Sequence, residues 1–136
     1  EKTAPFPGMV DLLLSLKEKG IFLGVLSNKF HRDTITLVQK YFPKDLFSVM
    51  IGQRPGVPVK PDPNGLIEIM EALHVLPHEV IYVGDTDVDM YTAKNAGTYG
   101  AGALWGYRTK EELSNAGADV LPKHPLELLD WIAYEE

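Results

Sequence analysis

Glu79-Val80-Ile81-Tyr82-Val83-Gly84-Asp85-Thr86-Asp87-Val88-Asp89 is the stretch whose reading decides the fold. Its first half, Glu79 to Val83, is rich in β-branched and aromatic side chains and reads as a short buried strand. Gly84 breaks the run, and the loop Gly84 to Asp89 carries three carboxylates in five positions. A helix follows to Ala96, with Gly97 as its stop. The bland reading of the acids is an N-cap and favourable first-turn charges for that helix. The functional reading is that acids this close repel one another unless a cation or a partner neutralises them. A calcium loop is excluded, because Met90 stands where the turn glycine belongs and Ala96 where the bidentate glutamate belongs.

The same strand–polar loop–helix pattern recurs on either side. Upstream, Pro7 and Gly8 open a helix with Met9, Val10, Leu12, Leu13 and Leu16 at helical spacing, ended by Gly20. Ile21 to Leu26 is apolar throughout and reads as a buried strand, bounded by Gly20 and Ser27-Asn28. Asp33 to Tyr41 reads as a helix broken before Pro43, and Phe47 to Ile51 as a second strand. Gln53 to Pro63 is a loop with four prolines in eleven residues. Asp62-Pro63 starts the next helix, Asp as cap and Pro where a missing N–H does no harm, and that helix runs to about Leu73. Downstream, Thr98 to Leu104 is a glycine-rich strand, and Thr109 with Glu112 has capping-box spacing for a short helix ending at Gly117. Asp119 to Leu121 is a last short strand, and Pro125 opens a terminal helix. Alternating strands and helices imply right-handed crossovers and a mostly parallel sheet covered on both faces, a three-layer α/β/α Rossmann-like architecture. Residues 1–136 read as one domain, without repeats or an internal linker.

Composition narrows the function classes. The chain has 136 residues, 13 Lys+Arg against 19 Asp+Glu, and a net charge of −6. That balance argues against a nucleic-acid or anionic-membrane partner but not against a small phosphorylated ligand. With no cysteine, disulfides, thiolate metal sites and thiol nucleophiles are excluded. No apolar stretch approaches the ~20 residues of a spanning helix, and no secretory signal is visible. The protein therefore reads as cytoplasmic.

In an open parallel sheet, ligands sit beyond the carboxyl ends of the strands. Ser27-Asn28, Lys60, and Asp85 with Asp89 all fall there, on three successive crossovers. Singly, Ser27-Asn28 could be a strand-end turn and Lys60 a solvated loop lysine. Together, a hydroxyl with backbone donors and an ammonium suit phosphoryl oxygens, and the carboxylate pair suits Mg²⁺.

Val25-Leu26-Ser27-Asn28-Lys29, Val59-Lys60-Pro61-Asp62-Pro63 and Ile81 to Asp89 resemble, in order and spacing, the second, third and fourth signature motifs of the haloacid dehalogenase superfamily of phosphatases. The likeness extends from about Pro5 to Leu129. Gly102-Ala103-Leu104-Trp105-Gly106-Tyr107 resembles the phosphoglycolate-phosphatase-like members. The resemblance implies a Mg²⁺-dependent phosphomonoester hydrolase that works through an aspartyl-phosphate intermediate. Ser27 and the Asn28 backbone N–H would bind a phosphoryl oxygen, and Lys60 would neutralise the phosphoryl group and the nucleophile. Asp85 would be a direct Mg²⁺ ligand, with Asp89 ligating through water or orienting the metal site and Lys60. Asp87 is left as a surface or capping residue.

The first motif of that superfamily, Asp-x-Asp-Gly-Thr on the central strand, has no counterpart among these residues. The resemblance therefore implies the C-terminal portion of a larger enzyme, missing the nucleophile strand and the substrate-selecting cap, and inactive alone. The strands ending at Leu26 and Val83 are then expected to lack a partner, and an unpaired edge makes an oligomer possible. Two other readings remain in view. One is a non-catalytic phosphate- or metal-binding module on the same core. The other, a response-regulator receiver, is disfavoured because its carboxylates precede the hydroxyl and lysine, whereas here they follow. A true dehalogenase is disfavoured by the Asp85 and Asp89 pair.

Overall fold

The computed structural model describes residues 5–132. The elements run α1 (Met9–Glu18), β1 (Gly24–Phe30), α2 (His31–Tyr41), β2 (Val49–Gln53), α3 (Asn64–Leu73), β3 (Ile81–Gly84), α4 (Asp87–Ala96), β4 (Tyr99–Gly102), α5 (Lys110–Asn115) and α6 (Leu128–Trp131), with 3₁₀ turns at Pro77–Glu79 and Pro125–Glu127. Every strand pairing is parallel, as the alternation requires.

The sheet is not continuous. Among the described residues β1 pairs only with β2, and β3 only with β4. The residues of β3 are all half-buried, as are Val25 and Leu26 on β1, where the middle of a closed sheet would be fully covered. The expected last strand, Asp119 to Leu121, is reduced to one bridge between Val120 and Ala101.

What joins the two ladders is their shared layers. On one face Leu12 and Leu16 of α1 and Leu128 of α6 pack with Leu23, Leu46 and Ala101, and Ile81 and Val83 of β3 lie against them. On the other face Leu66 and Met70 of α3 and Ala96 of α4 form a second cluster, covered by Leu26 of β1 and Tyr82 of β3. A third cluster, Met90, Leu113 and Ala116, ties α4 to α5.

The boundaries shift in ways that matter for function. The first strand begins at Gly24 rather than Ile21 and extends through Ser27-Asn28 to Phe30. Its pairing is regular only to Leu26, opposite Ile51, and resumes at Phe30, opposite Gln53. Four steps on β1 thus face two on β2, so Ser27, Asn28 and Lys29 bulge out of the ladder. The Gly52 amide, opposite the bulge, donates to His31 Nδ1 at 3.2 Å instead. The third helix starts at Asn64 with Pro63, not Asp62, as its N-cap and no side-chain cap; Asp62 Oδ1 instead accepts from the Asn64 amide at 2.9 Å, a local turn ahead of the helix. The Thr109–Glu112 capping box forms as the spacing implies. The described part of the terminal helix is short, Leu128–Trp131 behind its 3₁₀ turn.

Candidate active site

The site grows from the N-terminus of α4. Thr86, not an aspartate, is the N-cap: its Oγ1 accepts from the Asp89 amide at 3.1 Å. Asp89 occupies the third helical position and turns its carboxylate back over the start of the helix. Its Oδ2 accepts from the Asp85 amide (3.1 Å), the Thr86 amide (3.3 Å) and Thr86 Oγ1 (3.1 Å). This is a capping box with Asp in the Glu position, and the shorter side chain keeps the carboxylate buried. Gly84 makes room for it. A Cβ there would lie 2.2 Å from the Asp89 Cβ.

The other carboxylate oxygen faces the loop before α3. Lys60 Nζ donates to Asp89 Oδ1 at 2.6 Å, with only 14% and 9% of the two side chains exposed. Tyr82 completes the group, its phenol 3.5 Å from the same oxygen and its ring 5.8 Å from the ammonium. Burial pushes the Tyr82 phenol up to about 12, overcoming the pull of Lys60 in the opposite direction. For Lys60 burial works downward, but the charges and hydrogen bonds of Tyr82 and Asp89 outweigh it and hold the ammonium above its ordinary value. The lysine is therefore cationic at any physiological pH.

Lys60 is held by its backbone as well. Its amide donates to Asn28 Oδ1 at 3.0 Å, which joins the β1 bulge to the lysine loop. Ser27, Asn28, Val59 and Lys60 line one cleft with Gly52. Ser27 Oγ accepts from the Lys29 amide at 3.0 Å, a local turn that fixes the bulge. Asn28 thus contributes its side chain to Lys60, a contact the residue pattern alone did not give.

Asp85 stands apart from this network. Its amide is engaged by Asp89, but its half-buried carboxylate accepts no hydrogen bond among the described residues. It lies against the backbone of Gly106, where a Cβ would sit 2.5 Å from the Asp85 Cβ. Gly106 therefore forms the wall behind Asp85. Asp87 lies in the first turn of α4, outside the network. Four of the expected residues are thus joined by contacts, Asn28 to Lys60, Lys60 to Asp89, Asp89 to Asp85, and Ser27 is carried beside Asn28 on the bulge. The residues missed by inspection of the sequence are Tyr82, Thr86 and Gly106. Thr86 could have been found, since Thr86 and Asp89 have capping-box spacing; the others carry no local signal.

As a cation site the chain offers little on its own. Among the described residues no group of three His, Asp or Glu side chains is placed to hold a metal ion. Both Asp89 oxygens are already committed to donors, which leaves the Asp85 carboxylate as the free hard ligand. That fits a cation held by Asp85, water and phosphate oxygens, as Mg²⁺ is commonly held.

Comparison with known proteins identifies the family. The sequence model of the haloacid dehalogenase-like hydrolases matches residues 1–103. The N-acetylmuramic acid 6-phosphate phosphatase of Pseudomonas aeruginosa is 30% identical over 127 residues, covering 93% of this chain and 56% of that protein. The phosphoglycolate phosphatase of Aquifex aeolicus is 35% identical over 105 residues, 77% of this chain and 49% of that protein. A solved structure from Lactobacillus delbrueckii subsp. bulgaricus, assigned as a phosphoglycolate phosphatase, superposes with a TM-score of 0.90 at 33% identity over 97% of this chain and 55% of that one. The chain spans about half the length of the curated relatives it matches. No described helix is long and apolar enough to cross a membrane.

Proposed function

The chain belongs to the haloacid dehalogenase-like hydrolases, and from that membership we propose that it is the phosphate-handling part of a Mg²⁺-dependent phosphomonoester hydrolase for a small phosphorylated metabolite. The observation that carries the reading is the buried Lys60–Asp89 pair beside an unengaged Asp85. A charge pair of this kind is a poor stabilising device, because desolvation offsets much of its attraction. It is a good phosphate device, because a fixed ammonium in a water-poor cleft stabilises charge strongly.

Each residue then has a role. The Lys60 ammonium balances charge on the phosphoryl oxygens during transfer. Ser27 Oγ–H and the Asn28 amide donate to a phosphoryl oxygen from the bulge. Asp89 holds Lys60 in place and, through the Asp85 amide, sets the Asp85 backbone. Asp85 would hold the cation, which supplies further charge neutralisation at the phosphoryl group. The nucleophile is an aspartate on a strand outside these residues, forming an aspartyl-phosphate that water then hydrolyses. The two separate ladders, with half-buried apolar residues on β1 and β3, support such a strand between them.

Phosphoglycolate is the first substrate to test, on the likeness of Trp105-Gly106-Tyr107 and on relatives that bear that activity in their names. N-acetylmuramic acid 6-phosphate is the second, on the Pseudomonas relative. The experiment is a phosphomonoester panel on the whole protein with and without Mg²⁺, repeated with Asp85→Asn. Turnover on a panel member that falls about 10²–10³-fold in the variant, with the melting temperature kept, is the expected result. Unchanged Mg²⁺-dependent hydrolysis in Asp85→Asn removes the assignment, and phosphate binding with no turnover by the whole protein marks a binding module.

A further inference from the structure

The loop that carries Lys60 has little structure of its own. Between Arg54 and Pro63 its internal backbone bonds are Val57 to Arg54 and Asp62 to Val59, both local turns. Yet the ammonium of a long, flexible side chain must arrive at one place. The position is set from outside the loop. One tie is the Asn28 side chain on the Lys60 amide, from the β1 bulge. A second is Asp89 on the ammonium, from the start of α4. A third comes from the far end of the same helix, where Asn95 Nδ2 donates to the Pro61 carbonyl at 2.9 Å.

Asp89 and Asn95 are six residues apart, about 9 Å along the helix axis. Between them α4 holds the lysine loop at two points, the Lys60 side-chain tip and the carbonyl of the next residue, Pro61. One contact would leave the loop free to pivot about it; two fix its orientation against the helix. Neither contact lies within the loop's own sequence, so α4, together with Asn28 of the β1 bulge, sets the place of the lysine. We propose that Asn95 is a positioning residue of this site, fixing the Lys60 backbone on the helix that also supplies Asp89, and so setting where the ammonium meets a phosphoryl group. The catalytic consequence rests on the phosphatase reading above; the clamp itself does not.

The test uses the whole protein and three variants. Asn95→Asp keeps the shape but replaces the donor with an acceptor facing the Pro61 carbonyl. Asn95→Ala removes the contact, and Asn95→Gln keeps a donor. In Asn95→Asp and Asn95→Ala, hydrogen exchange at the Lys60 and Asp62 amides is expected to speed up about tenfold. kcat on the best phosphomonoester should fall about 10- to 100-fold, the scale of an ångström-sized misplacement. Asn95→Gln is expected to recover part of both, and thermal stability to change little. Unchanged amide exchange overturns the clamp. Faster exchange with unchanged kcat overturns the positioning role. A wild-type protein without turnover would instead overturn the phosphatase reading, and the clamp is then judged on amide exchange alone.

Discussion

Replacing Asp89 with Asn tests whether Lys60 and Asp89 are bound as one unit. The carboxylate takes donors at both oxygens: two amides and a hydroxyl at one, the Lys60 ammonium at 2.6 Å and the Tyr82 phenol at 3.5 Å at the other. A side-chain amide has one acceptor and one donor end. Whichever way the substituted side chain turned, its NH₂ would face donors, either the helix N-terminus or the ammonium. The better orientation keeps oxygen on the backbone amides and points NH₂ at Lys60. That leaves a cation, 14% exposed, without a counter-charge and with only the Tyr82 phenol oxygen of this group to accept from it. Breaking a buried pair in this way costs about 3–5 kcal/mol. Some water access places this site at the lower end, about 3 kcal/mol. For a domain of this size, that corresponds to a fall in melting temperature of roughly 10 °C. Lys60→Met should cost less, because Asp89 keeps its three donors at the helix start. The double variant, Lys60→Met with Asp89→Asn, should then be more stable than the sum of the two losses, by about 2 kcal/mol in a double-mutant cycle. Urea unfolding of the four proteins, at matched m-values, gives the number. Additivity within about 0.5 kcal/mol would refute the argument, since it would mean that the two groups do not depend on each other.

Two further outcomes follow from the same geometry. Gly106→Ala puts a methyl 2.5 Å from the Asp85 Cβ and 2.7 Å from its Oδ2; it should cost about 1–3 kcal/mol in thermal unfolding and weaken the Mg²⁺ dependence of turnover by at least about tenfold, whereas wild-type Mg²⁺ titration in this variant would show that Gly106 is not the wall behind Asp85. Alkaline stability should fall from pH 10 to about pH 12, because the folded protein keeps the Tyr82 proton, which the unfolded chain releases near 10. The folded state then binds more protons, so stability is full below pH 10 and declines as pH rises through this window. The raised Lys60 acts in the same direction. In Tyr82→Phe the decline, followed by urea unfolding at stepped pH, should be smaller by about 2 kcal/mol; an identical decline would show that the phenol is not the group responsible.

Much of the architecture was legible because punctuation fixes it. Gly20, Pro43, Gly97 and Gly117 stop elements, and Thr109 with Glu112 opens one, all by local rules that the structure obeys. The first strand was misplaced because an apolar run measures burial, not pairing. Leu23 is a core residue outside the ladder, Ile21 packs against that core and Phe22 is exposed, whereas Ser27 to Lys29 lie within the strand's span because pairing resumes at Phe30. The candidate residues were legible through their place at the carboxyl ends of parallel strands, and Lys60 reaching Asp89 is what that placement requires. Their supports were not. Asn95 acts on a carbonyl 34 positions away, and Gly106 matters through a side chain it lacks. Nothing in the local pattern of either residue announces such a contact. The Asn28 side chain adds a contact to the Lys60 amide that is separate from the backbone role expected of it.

The division into two ladders bears on how the chain acquires its shape. Each ladder closes over a single crossover, Gly24 with Val49 and Ile81 with Tyr99. Parallel pairing across a crossover is slow compared with forming the helix between the strands. Among the described residues β1 has its partner by Gln53, so the first half can begin to organise on the ribosome before β3 has been synthesised. Joining the halves, together with any strand that enters between them, is then a later step than forming either ladder.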